Sequence, residues 1–254
     1  MTTAKSPLTF RLPDPPEHPK DKMTNFDHLT NTSIVEPLRY YLGNRQTTLI
    51  AGERYLVVRP TRSLAGSRYP DLLIAFDADL VAYKESNGYI IDEQGKPPDF
   101  VLEIASRRTG RVDVEDKRND YAELGIPEYW RFDETGEHHG TKLAADHLAA
   151  DDQYQPISIE ELPDGALQGY SRVLNLYLRW ENGQLRWHDP QTGRHIPTFS
   201  EEREARIQAQ EANRQEREAR IQAQEANRQE REARLLAEAR ARELEERLKD
   251  LEGS

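Results

Sequence analysis

A chain of 254 residues without cysteine carries 32% charged and 36% hydrophobic residues and a formal net charge of −11, with a mean hydropathy of −0.90. Disulfide scaffolds and thiolate metal centres are excluded, and with no apolar stretch near the roughly 20 residues of a membrane helix, the reducing cytoplasm is the expected compartment. The acidic balance argues against tight, sequence-indifferent nucleic-acid binding, which is driven by phosphate neutralisation.

Residues 1–24 are proline-rich and lack the apolar core of a secretory signal, which predicts a disordered arm. From Asp27 to Gly43, the apolar residues Leu29, Ile34, Leu38, Tyr41 and Leu42 are compatible with an amphipathic helix closed by Gly43. Pro37 disfavours helical geometry at Glu36, so the helix either starts near Pro37 or kinks there. Strands are expected near 46–58, 70–76, 79–83 and 99–105.

Two of these strands carry a carboxylate inside an apolar run: Asp71 in the segment from Tyr69 to Phe76, and Glu103 in the segment from Pro98 to Ser106. A buried, unpaired charge costs several kcal/mol, so such groups want partners. Asp71 after a proline is, taken alone, the pattern of a turn. Glu103 within a strand is harder to explain that way, because Glu is almost never fully buried unless paired. Two carboxylates side by side on neighbouring strands offer oxygen ligands to a hard divalent cation, the skeleton of a metal-dependent nuclease.

A helix over 112–124, ended by Gly125, places Asp113, Lys117 and Tyr121 on one face through their four-residue spacing. Lys117 then either serves the carboxylates or pairs with Asp113 or Asp120, and Tyr121 reads as core. A strand follows over 128–133. His138 and His139 fall in a polar loop spanning about 134–152, and no well-spaced third ligand makes them a zinc site. Asn182-Gly183 between two aromatic-bearing runs, 169–180 and 184–189, predicts a hairpin. Arg59, Arg62, Arg68, Arg107, Arg108, Arg111, Lys117 and Arg118 could frame an acidic metal centre.

The tail is a separate object. Residues 202–215 recur unchanged as 216–229, and a third copy diverges at Leu235. Fourteen residues are two heptads, and 201–252 contains no Gly, Pro or aromatic residue, so a continuous helix of roughly 78 Å is expected. Alanines recur every seven residues and Leu244, Leu248 and Leu251 strengthen the end. The expectation is a homo-oligomer formed through a coiled coil, and the alternative is a solvated single helix held by i,i+4 ion pairs.

Pro70-Asp71, the run Val101-Leu102-Glu103-Ile104 followed by Ser106, and the series Asp113, Lys117, Tyr121, Gly125, Ile126 to Trp130 and Asp133 together resemble the Uma-two family of endonucleases, of the PD-(D/E)xK restriction-endonuclease-like type. The resemblance covers about residues 25–180. It implies an α/β fold with a restriction-endonuclease-like mixed central sheet flanked by helices, and with the tail read above the expected division is a nuclease-like domain over 25–198 and the long helix as a separate part over 199–254. It further implies Asp71 and Glu103 as ligands of Mg²⁺ or Mn²⁺, a supporting acid at Glu36, and DNA as substrate. The lysine usual two residues after the Glu is replaced by Ala105, which points to Lys117 as the basic group. Arg107-Arg108 also departs from the family's more usual proline and small residue. The rival expectation is a catalytically silent nuclease-like scaffold that assembles partners through the coiled coil.

Overall fold

In the computed structural model the described residues are 10–16, 29, 34–42, 44, 46–105 and 114–252, with side chains to 243. The chain divides into a body, Met1–Thr198, and a helical unit, Phe199–Ser254. The body is a mixed α/β structure. Its strands are β1 (Leu49–Ala51), β2 (Leu56–Val57), β3 (Leu72–Ala75), β4 (Tyr89–Ile90), β5 (Phe100–Ile104), β6 (Glu128–Phe132), β7 (Leu143–Leu148), β8 (Tyr154–Pro156), β9 (Ile159–Glu161), β10 (Leu167–Ser171), β11 (Leu176–Glu181) and β12 (Gln184–His188). The helices are α1 (Val35–Tyr41), α2 (Leu80–Ser86), α3 (Ile91–Gln94) and α4 (Asp116–Glu123), and α5 (Phe199–Glu252) forms the second unit.

A six-stranded sheet in the order β1-β3-β5-β6-β7-β8 is the centre of the body. All its neighbours run antiparallel except β5 and β6, the parallel pair that needs a crossover, which α4 supplies. One face, carrying Leu72, Ile74, Phe100, Leu102, Trp130 and Phe132, packs with Val35 and Leu38 of α1 and with Leu176, Leu178 and Trp187 of a four-stranded antiparallel sheet, β12-β11-β10-β9. The opposite face presents Leu73, Val101 and Tyr129 to Tyr121 of α4 and to Ile126. Alternation along each strand separates the two cores, so Asp71 and Glu103, in phase with Leu73 and Val101, belong to the α4 side.

Several local expectations change. Residues 79–83, expected as a strand, lie at the start of α2, because the Asp79 carboxylate accepts from the Val81 and Ala82 amides, each at 2.9 Å, and caps the helix. The polar region 134–152 contains β7, which pairs with β6 over five residues. The expected strand 46–58 is broken into β1 and β2 around Glu53, whose φ is 53°. The run 169–180 is two strands, β10 and β11, with Asn175 at φ 54° between them. Part of the arm expected to be disordered is packed: Leu12 is buried, its amide donates to the Ser86 carbonyl at 2.9 Å, and the Asn87 side chain donates to the carbonyls of Leu12 and Pro13. Pro37 sits in the first turn of α1, where no intrahelical N–H partner is lost. The hairpin at Asn182-Gly183 is present, with both residues at positive φ (51° and 73°) and Glu181 opposite Gln184.

The helix α5 is continuous over 54 residues. Ion pairs one turn apart join Arg214 to Glu218, Arg228 to Glu232 and Arg234 to Glu238 along its surface. Ile207, Ile221, Leu235 and Leu236 are exposed on it. The side chains of Leu244, Leu248 and Leu251 lie outside the described residues.

Candidate functional site

Strands β3 and β5 pair in antiparallel register with Leu72 opposite Leu102. One step further, Asp71 stands opposite Glu103, and directly opposed residues of an antiparallel pair point to the same face with Cβ atoms about 5 Å apart. Asp71, half-buried at the mouth of β3, is fixed by the neighbouring strand: its Oδ2 accepts from the Ile104 amide at 2.7 Å. The turn reading of a Pro-Asp pair therefore gives way to a long-range contact across 33 positions.

Glu103 is only 1% exposed. Its Oε1 accepts from the Tyr121 hydroxyl at 2.6 Å, and its Oε2 lies 2.9 Å from Lys117 Nζ. Both donors come from α4, whose four-residue spacing brings them down onto the same carboxylate. Burial, and after it the negative charge of Glu103, push the Tyr121 hydroxyl well above its usual pKa, and Asp71 acts in the same direction. The phenol therefore stays a donor. Lys117 pairs with Glu103 across the fold. Asp120, considered above as its partner, pairs with Arg68, and Asp113 lies outside the described residues.

The helix is anchored on both flanks of this contact. Arg68 reaches Asp120 from the approach to β3. Arg118 donates to Asp146 at 2.9 Å and to the Tyr154 carbonyl at 2.7 Å, and Arg131 of β6 joins Asp146 at 2.6 Å. Of the basic residues expected to frame the site, Arg68, Lys117 and Arg118 are engaged in these ion pairs, Arg59 and Arg62 are exposed, and Arg107, Arg108 and Arg111 lie outside the described residues.

Glu36 stands on α1, whose buried residues pack on the other face of the sheet, and it lines a cavity of about 530 Å³ with Leu38, Leu49, Ile50, Leu80 and Tyr83. Asp71, Glu103 and Lys117 do not line that cavity. Asp133, part of the recognised series, is a loop anchor: its buried carboxylate accepts from the His138 and His139 amides at 2.6 and 2.8 Å and from Thr135. Burial alone would raise its pKa, but these bonds outweigh it and hold the group down to about 2. The other carboxylate of the second segment, Asp99, accepts from the Phe76 amide and from Lys96, and fixes the start of β5.

Sequence reasoning assigned Tyr121 to the core and left its hydroxyl without a role, although its spacing from Lys117 was the available signal. It also missed Glu128, a buried carboxylate that accepts from Trp130 Nε1, the Ser171 hydroxyl and the Arg172 and Val173 amides, joining the two sheets. Among the described residues no group of three or more His, Asp or Glu is placed to hold a metal ion. The donor set at the site is thus two carboxylates with an ammonium and a phenol beside them. Magnesium is commonly bound by one or two carboxylates, with waters and substrate phosphate completing its shell, and the hard oxygens of Asp71 and Glu103 fit that pattern.

The model of the family Uma2, described as "Putative restriction endonuclease", matches residues 23–222. Among solved structures, a "putative nuclease belonging to DUF820" from Anabaena variabilis ATCC 29413 aligns at 12% identity with a TM-score of 0.35, over 56% of this chain and 74% of its own. No curated protein matches the chain.

Proposed function

The chain belongs to the Uma2 family, and on that premise we propose that it is a nuclease that hydrolyses DNA phosphodiester bonds with a divalent cation held by Asp71 and Glu103. The observation that carries this reading is the placement of two carboxylates opposite one another on one face of adjacent strands, with Lys117 2.9 Å from the inner one. Asp71 and Glu103 are the ligands. A divalent cation bound by them, Mg²⁺ or Mn²⁺, supplies a Lewis acid for the phosphate and an acidified water. Lys117 orients the attacking water or neutralises charge that develops on the phosphate, an electrostatic role of the kind worth about 10²-fold in rate. Glu36 lines a cavity that Asp71, Glu103 and Lys117 do not line, and the ligand set proposed is the facing pair Asp71 and Glu103.

A cysteine-free chain in which no described helix is long and apolar enough to cross a membrane is read as a protein of the reducing cytoplasm. The exposed Ile207, Ile221 and Leu235, spaced by 14 residues along α5, support self-association through that helix.

A second reading has its own support. Both oxygens of Glu103 are already engaged by Tyr121 and Lys117, a neutral arrangement that a non-catalytic scaffold would keep, and Ala105 stands where the motif has its lysine. Cleavage of supercoiled and linear DNA in Mg²⁺, with chelator controls, separates the two. The nuclease reading expects metal-dependent nicking by the wild type that Asp71→Asn and Glu103→Gln reduce by about 10²-fold or more. Equal activity of all three proteins, or none in the wild type, would favour the scaffold.

A further inference from the structure

Tyr121 lies one helical turn beyond Lys117 on α4, and its side chain is completely buried. The ring packs against Tyr129, with centroids 5.0 Å apart, and the hydroxyl donates to Glu103 Oε1 at 2.6 Å. The opposite oxygen faces Lys117. A carboxylate gripped at one oxygen by a neutral donor can no longer turn freely about its last bond, so its other oxygen keeps a fixed direction. The helix that carries both donors is itself tied by Arg68–Asp120 and Arg118–Asp146 on either side, so it cannot slide to release the grip.

We propose that Tyr121 is a positioning residue: by taking Oε1 it holds the Glu103 carboxylate so that Oε2 is the oxygen presented to the cation and to Lys117. This rests on the nuclease reading above and deepens it. Groups that hydrogen-bond a metal ligand from behind orient it, and their removal costs about 10- to 100-fold in metal affinity. A tyrosine that served packing alone would lose nothing at the metal when replaced by phenylalanine, since the ring and its stacking remain.

The test uses the full chain and MnCl₂, read as the Mn²⁺ concentration giving half-maximal thermal stabilisation and, separately, half-maximal DNA cleavage. Tyr121→Phe is compared with Tyr154→Phe, which loses a buried hydroxyl bond at 2.8 Å on the same side of the sheet, made to the Ile126 carbonyl. The expected result is a rise of about 10- to 100-fold in both Mn²⁺ midpoints for Tyr121→Phe, with the wild-type midpoints kept by Tyr154→Phe at a comparable loss of melting temperature. Wild-type midpoints in Tyr121→Phe, or equal shifts in both variants, would overturn the positioning role. If Asp71→Asn abolishes the Mn²⁺ response while Tyr121→Phe keeps it unchanged, the metal site stands and Tyr121 is packing only. A wild type that does not respond to Mn²⁺ overturns both.

Discussion

Glu103 is the residue on which the site turns, because a carboxylate that is only 1% exposed has to be neutralised where it sits. Removing one partner of a buried charge pair costs about 3–5 kcal/mol, mostly the penalty of the charge left behind. Lys117→Ala should therefore do two things at once. It should lower cleavage by about 10²-fold, and it should destabilise the fold in a way that Mg²⁺ partly restores, because the cation takes over the charge of Glu103. Thermal melts with and without Mg²⁺ measure the second effect: a larger metal-induced gain in Lys117→Ala than in the wild type is expected. A variant that melts and cleaves like the wild type would remove Lys117 from the site. Lys117→Arg keeps the charge with a different shape, and separates electrostatic support from placement of the water.

At the level of elements, the site depends on the pairing of β3 with β5 and on α4 lying across them, and both depend on the second sheet holding the other face closed. Glu128 is the knot between the sheets, with four donors converging on its carboxylate. Glu128→Ala leaves those donors without an acceptor in the interior, at a cost of about 3 kcal/mol or more. Chemical denaturation should show the loss as a lower midpoint, and an unchanged midpoint would mean that the sheets are held by apolar packing alone. Glu128 lies within the recognised series Ile126 to Trp130, but its role between the sheets was not legible, because its partner, Ser171, is 43 positions away. The facing placement of Asp71 and Glu103 was legible because a charge inside an apolar run is a local anomaly, and the contact of Lys117 with Glu103 because helical spacing is local too. The strand β7 was not legible: its Ala-Ala-Asp-His centre has little strand preference, and pairing with β6 decides its conformation. The start of α2 was misread because its first apolar residues resemble a strand, while the capping role of Asp79 shows only once its carboxylate meets the Val81 and Ala82 amides.

For the whole molecule, the body and α5 are two units, and the body has its own cores. Removal of residues 199–254 should leave a folded body with its metal response intact and reduce the mass of the assembly, as measured by sedimentation of full-length and truncated chains at equal molar concentration. If both sediment with the same number of protomers, the helix is a solvated single helix, held by its i,i+4 pairs at about 0.3–0.5 kcal/mol each. Whatever the tail assembles, the central claim is that Asp71 and Glu103 together hold a divalent cation. The most direct measurement is the anomalous difference density of crystals of the full chain soaked in MnCl₂, collected for the wild type and for Asp71→Asn. A single strong peak is expected between the Asp71 and Glu103 carboxylates in the wild type, and none there in the variant. A peak that persists in the variant, or a wild type with manganese bound only elsewhere, would contradict that claim.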